Sequence, residues 1–190
     1  MTLRLRSGLM ASAAEPLTKE QIRSKILLKL KTQKEEDRNR KSRIIEKKLF
    51  RSSVFKKAKI VMFYISFGKE VNTRDMIKKA KESGKIVTVP VCEKNRIIKA
   101  CLLGGRERLV KGPYGILEPV TKQCVNLRYL DLVIVPGLSF TKQGKRLGRG
   151  KGYYDRFLNK LSRKTTTIGL AYDFQILPRI PTTSTDVNVG

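Results

Sequence analysis

The chain of 190 residues contains no histidine, only 16 Asp and Glu, three cysteines and no apolar run of membrane-spanning length. Without histidine, a Ser-His-Asp triad and an imidazole metal site are both excluded. The three cysteines, Cys92, Cys101 and Cys124, are odd in number and follow no close metal-ligand spacing, so reduced thiols in an intracellular protein are expected. The lack of a long apolar stretch excludes a membrane-spanning helix, and the amino terminus has no apolar core of a secretory signal. Met1 to Ala14 carries Arg4, Arg6 and serines but no acid. Residues 1–17 are therefore expected to be a disordered leader or a targeting segment, with a cytoplasmic location expected and mitochondrial or other organellar targeting as the alternative. The remainder, 18–190, has the size of a single domain.

The shortage of acid leaves a large excess of base. Against those 16 acids stand 42 Lys and Arg, a formal charge of +26. Such a field attracts polyanions, and nucleic acid is the first partner to consider. The cations are, however, spread through Lys25–Lys59 and Lys78–Lys85, as on solvated helix faces. No RNP-like aromatic motif, zinc-finger spacing or basic heptad accompanies them, which makes nucleic acid a secondary partner.

Apolar periodicity gives an alternating order of elements. Thr18 and Gln21 form a capping box, and Ile22, Ile26 and Leu30 recur at helical spacing, predicting a helix from Thr18 to about Asp37. A second helix is expected over Lys41–Lys56. Ile60–Ser66 reads as a buried strand, followed by a helix capped by Asn72 or Thr73 and ended at Gly84. Strands are expected at Ile86–Val91, Ile97–Leu103, Asp131–Val135 and Thr166–Tyr172, with a helix over Tyr153–Leu161. Leu109–Gln123, punctuated by Gly112-Pro113, Gly115 and Pro119, reads as a loop. The order predicts a mostly parallel sheet covered on both faces, an α/β three-layer Rossmann-like sandwich.

The densest chemistry follows the strand Asp131–Val135, whose lack of alternation marks burial on both faces. Gly144, Gly148, Gly150 and Gly152 alternate with Lys145, Arg146, Arg149 and Lys151, and the stretch then enters Tyr153-Tyr154-Asp155. Glycine lets backbone amides approach an anion closely, and guanidinium forks suit phosphate. Free amides at the start of a helix add to that preference. Asp155, a carboxylate among cations, is either an ion-pair partner or a magnesium ligand beside a polyphosphate. Neither the dinucleotide fingerprint nor the P-loop spacing is present, so a different phosphate cradle is implied. Lys19 and Arg23, four apart on one helical face, can address a common anion.

Pro136-Gly137-Leu138-Ser139-Phe140, then Gly144 and the unbroken Arg146-Leu147-Gly148-Arg149-Gly150-Lys151-Gly152-Tyr153-Tyr154-Asp155-Arg156-Phe157-Leu158, resembles the signature of the 5-formyltetrahydrofolate cyclo-ligase (methenyltetrahydrofolate synthetase) family. The likeness extends from about Thr18 to the end through KEQIRSKIL, YISFGKEVNT, GKIVTVP and YGILEP. It implies an ATP- and Mg2+-dependent ligase of one-carbon metabolism that converts 5-formyltetrahydrofolate to 5,10-methenyltetrahydrofolate; a monomer is expected. It implies catalytic roles for Arg149, Lys151 and Tyr153. ATP would be held by Lys19, Arg23, Arg146, Leu147, Gly148, Arg149, Gly150, Lys151, Gly152, Tyr153 and Tyr154. Folate would lie against Ile65, Phe67, Glu70, Tyr114 and Tyr153, and the metal against Asp155 and Asp186. Thr141 stands where many relatives have Asp, Ile97 and Lys99 replace methionine-like positions, and Cys92 occupies a site sometimes aromatic. The resemblance also implies one more strand beyond Gly190. A catalytically weak relative serving as a basic nucleic-acid-binding module is the alternative.

Overall fold

A computed structural model describes residues 16–104, 109–112 and 115–190; the expected leader, residues 1–15 of it, and Tyr114 lie outside the described residues. Short β-branched runs build the centre. β1 (Ile60–Met62), β2 (Ile86–Glu93), β7 (Leu132–Val135) and β10 (Thr166–Gly169) are parallel, and β3 (Ile97–Leu102) and β6 (Cys124–Val125) extend the sheet antiparallel. The spatial order β10-β7-β1-β2-β3-β6 is that of a six-stranded sheet. All four residues of β7 are buried, as a central parallel strand demands.

The pleat sends alternate residues to two cores. Val61, Phe63, Val87, Val89, Leu132 and Ile134 meet α1 (Lys19–Thr32), α2 (Glu35–Arg51), α3 (Ser53–Lys57) and α4 (Arg74–Glu82) through Ile22, Ile26, Leu49, Phe55 and Met76. Met62, Val133, Val135, Ile98 and Ala100 meet Phe157 and Leu158 of α5 (Tyr153–Leu158) on the other face. The result is the expected three-layer α/β arrangement. Among the described residues no helix is long and apolar enough to cross a membrane.

Several boundaries differ from the sequence reading. The helix predicted to Asp37 stops at Thr32, and Glu35, Glu36 and Asp37 instead fill the first turn of α2, where carboxylates oppose the helix dipole. The second expected helix likewise divides at Ser52, whose hydroxyl accepts from the Phe55 amide and starts α3. Of the two expected caps, Asn72 Oδ1 accepts from the amide of Arg74, the first residue of α4, at 3.0 Å, whereas Thr73 makes no side-chain cap. Its hydroxyl donates to Tyr64 O at 2.6 Å and accepts from Ser66 N at 3.0 Å, tying the segment after β1 to the helix start. The expected loop 109–123 contains a small antiparallel pair, β4 (Leu109–Lys111) and β5 (Leu117–Pro119). Gly112 and Gly115 there mark its turn rather than an absence of strands.

The cysteine expectation also needs correction. The antiparallel register of β3 and β6 sets Cys101 opposite Cys124, and a disulfide joins them, leaving Cys92 as the free thiol among the described cysteines. A separation of 23 residues carries no short-range signature, so only strand pairing brings the two sulfurs together.

Asp131 aligns β1 with β7. Its Oδ2 accepts from the amides of Lys59 and Ile60, both at 2.8 Å, while its own amide donates to Ile60 O at 3.0 Å. Because the side chain is exposed and water can replace it, Asp131→Ala is expected to cost about 1 kcal/mol. That would lower the thermal midpoint by roughly 2–4 °C in a domain of this size. An unchanged midpoint would show that strand alignment does not depend on this carboxylate.

Candidate active site

Parallel strands leave their carboxyl ends facing one edge of the sheet, and the chain departs there in segments rich in glycine and charge. A cavity of about 590 Å³ opens at that edge. Tyr64, Ile65, Phe67 and Glu70 reach it from the segment after β1, Pro90 and Cys92 from β2, and Pro136 and Gly137 from the end of β7. Arg146 through Asp155 line it continuously. Lys19 and Arg23 enter from α1, and Thr183, Thr185 and Asp186 from the closing segment. Every proposed site residue that the structure describes therefore lines this one cavity.

The basic loop is shaped by a hairpin before it. β8 (Ser139–Phe140) pairs with β9 (Arg146–Leu147), and Thr141 forms the turn between them. The Thr141 hydroxyl accepts from Gln143 N at 3.3 Å and Lys145 N at 3.2 Å, so this threonine does the local turn chemistry of an Asx or ST motif. Beyond β9, Gly150 lies at φ +92° with the Arg23 guanidinium 3.3 Å from where a Cβ would stand. Gly152 lies at φ +70° as the N-cap of α5. Both conformations strain any residue with a Cβ. Since α5 has only six residues, the cradle rests on loop amides and cations more than on a helix dipole.

Three carboxylates in the cavity each hold a cation. Lys19 Nζ meets Asp186 Oδ2 at 2.6 Å, Arg146 Nη2 meets Asp155 Oδ1 at 2.6 Å, and Arg149 Nη2 meets Glu70 Oε1 at 2.8 Å. The pairs are not equivalent. The Arg146 side chain is 3 % exposed and also donates to Pro136 O at 3.2 Å, which makes it a structural guanidinium anchoring the end of β7 to α5. Arg149 is half exposed and spans the cavity mouth. Arg23 Nε donates to Gly148 O at 3.1 Å, fastening the glycine loop to α1. Asp186 accepts from both Thr183 N and Lys19, so one carboxylate is at once a turn former and a cavity group. Burial raises its pKa, but the Lys19 ammonium and the Thr183 amide outweigh that and hold it below the ordinary carboxylate value.

Unfilled donors mark the floor. Among the described residues, Arg146 Nε and the Tyr154 hydroxyl are buried without a hydrogen-bond partner, and both residues line the cavity. Buried polar atoms are normally satisfied, so a ligand is their natural complement. Burial pushes the Tyr154 phenol well above its ordinary value, which keeps its proton available for donation. Burial, with Glu118 beside it, likewise pushes the Cys92 thiol up to about 11, so this cysteine lines the cavity as a neutral group. Among the described residues no cluster of three or more Cys, Asp or Glu is placed to hold a metal. Asp155 and Asp186 provide two carboxylates, a set that suits Mg2+ sharing its shell with phosphate oxygens and water.

The family model for 5-formyltetrahydrofolate cyclo-ligases matches residues 16–190. The chain belongs to that family. It is 31 % identical over 192 residues to the Mus musculus 5-formyltetrahydrofolate cyclo-ligase, with 95 % of each chain covered. The NMR structure of Aquifex aeolicus 5,10-methenyltetrahydrofolate synthetase superposes with a TM-score of 0.81 at 34 % identity, covering 91 % of this chain and 87 % of that one. A methenyltetrahydrofolate synthetase from Mycoplasma pneumoniae, at 23 % identity and TM-score 0.74 over 91 % and 96 % of the two chains, shares the fold.

One part of this cyclo-ligase-family site gave no sequence signal. The main-chain carbonyl of Glu70 accepts from Arg38 Nε at 3.1 Å and from the Tyr172 hydroxyl at 3.2 Å. Because Tyr172 has one proton, the 3.1 Å contact between Ser42 and Tyr172 must run from Ser42 to Tyr172, while Ser42 Oγ accepts from Asn72 N. A chain from α2 through Tyr172 thus fixes the backbone that carries the Glu70 carboxylate, whose Oε2 accepts from Phe67 N. Tyr172→Phe removes one donor from Glu70 O, a loss of about 0.5–1.5 kcal/mol. Amide exchange at Phe67 and Glu70 is expected to quicken roughly two- to tenfold while the strand amides stay unchanged. Unaltered exchange at these two amides would remove Tyr172 from the positioning of Glu70.

Proposed function

We propose that this protein converts 5-formyltetrahydrofolate to 5,10-methenyltetrahydrofolate at the expense of ATP, with Mg2+ required. The observation that carries the reading is the single cavity in which the glycine-rich basic loop, the α1 cations and the apolar and acidic segment after β1 converge. The first two suit a polyphosphate, and the third suits a flat heterocycle with exchangeable N–H groups.

The chemistry needs little from the protein beyond placement and charge. A formyl group on N5 is an amide whose oxygen is a poor leaving group. In the proposed sequence the formyl oxygen attacks the γ-phosphorus and ADP departs. N10 of the substrate then attacks the activated formyl carbon, phosphate leaves with the former formyl oxygen, and N10 gives up its proton. The nucleophiles belong to the substrates, which accounts for a site without histidine. Arg149, Lys151 and the loop amides are assigned to the phosphate oxygens, with Lys19 and Arg23 assigned to the rest of the nucleotide. Tyr153 is assigned to the boundary between the two ligands. Asp155 and Asp186 are the residues that would hold Mg2+, which would supply neutralisation of phosphate charge. Arg146, being buried against Asp155, orients that carboxylate. Ile65 and Phe67 are assigned to the faces of the folate and Glu70 to its N–H donors.

The test is the absorbance of the methenyl product when folded protein meets 5-formyltetrahydrofolate, ATP and Mg2+. A rise that depends on ATP is expected, falling by about 10²-fold or more in Arg149→Ala, as for loss of one donor to a charged transition state. Asp155→Ala is expected to fall similarly and to leave Arg146 buried without a counterion. No ATP-dependent rise from the folded wild type would overturn the reading.

The ion pairs lead to a second, less intuitive expectation. Arg149 engages Glu70; releasing the carboxylate requires breaking a part-exposed pair worth about 0.2–1 kcal/mol. Arg149→Ala is therefore expected to bind folate in the absence of nucleotide up to about fivefold more tightly than wild type, despite losing activity. Weaker folate binding by this variant, read by calorimetry, would show that Arg149 contacts folate rather than restraining Glu70.

A further inference from the structure

The cavity accounts for a handful of cations in a chain that carries +26. Much of the remainder has no role in the reaction, and one part of it is ordered geometrically. On α2, Ser42, Glu46 and Leu49 point into the fold. Arg40, Arg43, Lys47 and Arg51 recur at intervals of three and four on the opposite face, and all four are exposed. Arg40 pairs with Asp37 at 2.9 Å, an exposed contact that a phosphate can replace. At 1.5 Å per residue the four heads follow a line of about 16 Å. Asn39, Arg40, Arg43, Ile44 and Lys47 line a shallow groove along this face, with Glu36 at one end. None of these residues lines the ligand cavity.

We infer that this outer face of α2 is a binding surface for the phosphodiester backbone of a nucleic acid. The partner's chemistry follows from the side chains. A row of guanidinium and ammonium groups at helical intervals matches a linear array of phosphates better than it matches a single compact anion. The groove has no aromatic side chain on which a base can stack, so recognition is of backbone charge without base selection. A chain with pI near 10.4 and a basic stripe along one helix has the electrostatic footprint of such binding.

The experiment must separate a local surface from the overall charge. Fluorescence anisotropy with a short mixed-sequence single-stranded RNA would compare wild type with the triple variant Arg43→Ala, Lys47→Ala, Arg51→Ala. The comparison variant is Lys160→Ala, Arg163→Ala, Lys164→Ala, three exposed cations after α5 that lower the net charge equally. The α2 variant is expected to bind at least tenfold more weakly. Its slope of log affinity against log salt is expected to be shallower by about 2, given roughly 0.7 per lost phosphate contact on a single strand. The comparison variant is expected to lose much less. Both triple variants are expected to retain methenyl production and wild-type melting. Equal weakening by the two triples would assign the binding to overall charge and overturn the inference. So would release of the RNA by Mg2+ and ATP, which would place it in the cavity, or no binding by wild type at moderate salt.

Discussion

Opposite charges share one cavity, and the rest of the site depends on how they pair. Arg146 is the fixed point. A guanidinium that is 3 % exposed must have a counterion, since an unpaired buried charge costs several kcal/mol, and Asp155 supplies it from the first turn of α5. This contact and the bond to Pro136 O clamp the start of α5 to the end of β7. The stretch between Leu147 and Tyr153 then has little freedom except at its glycines. The outer pairs, Lys19–Asp186 and Arg149–Glu70, are more exposed and join segments far apart in sequence. Both cations thus face the cavity already paired with a carboxylate. Paired ions cost less to hold in a partly buried cavity than bare charges, so the acids offset the surrounding bases here.

How much of this was legible in the sequence depended on whether the carriers were contiguous. β7 and the loop after it could be read directly, because a fully buried strand, alternating glycines and cations, and a helix start lie within one stretch. The layer order followed from apolar periodicity. Exact helix limits did not, because the charges of Glu35, Glu36 and Asp37 fit both the end of one helix and the start of the next, and tertiary packing decided. The small β4–β5 pair was hidden by Pro and Gly, which mark turns whether or not strands flank them. Contacts such as Lys19–Asp186, separated by 167 residues, and Cys101–Cys124 have no local pattern; they exist because the sheet order puts their segments side by side. The same holds for Arg38 and Tyr172 at the Glu70 carbonyl, where two ordinary helix and loop residues acquire a role through position alone.

The fold divides its labour by face. The carboxyl edge of the parallel strands gathers both halves of the cavity, so the segment after β1 and the basic loop after β7 leave from neighbouring strands and meet there. The α1–α4 layer covers one side of the sheet and lends Lys19, Arg23 and Arg38 to that edge, while its outward surface holds a large part of the positive charge. A field of this sign attracts small anions and polyanions alike.

In the proposed reaction ATP activates the formyl oxygen itself, with the protein supplying placement and charge. The direct measurement is to run the reaction on 5-formyltetrahydrofolate labelled with oxygen-18 in the formyl group and to weigh the inorganic phosphate formed. The account predicts that each phosphate carries the label from its folate. Unlabelled phosphate accompanying methenyl product would mean that water, not the formyl oxygen, received the phosphoryl group, and would contradict it.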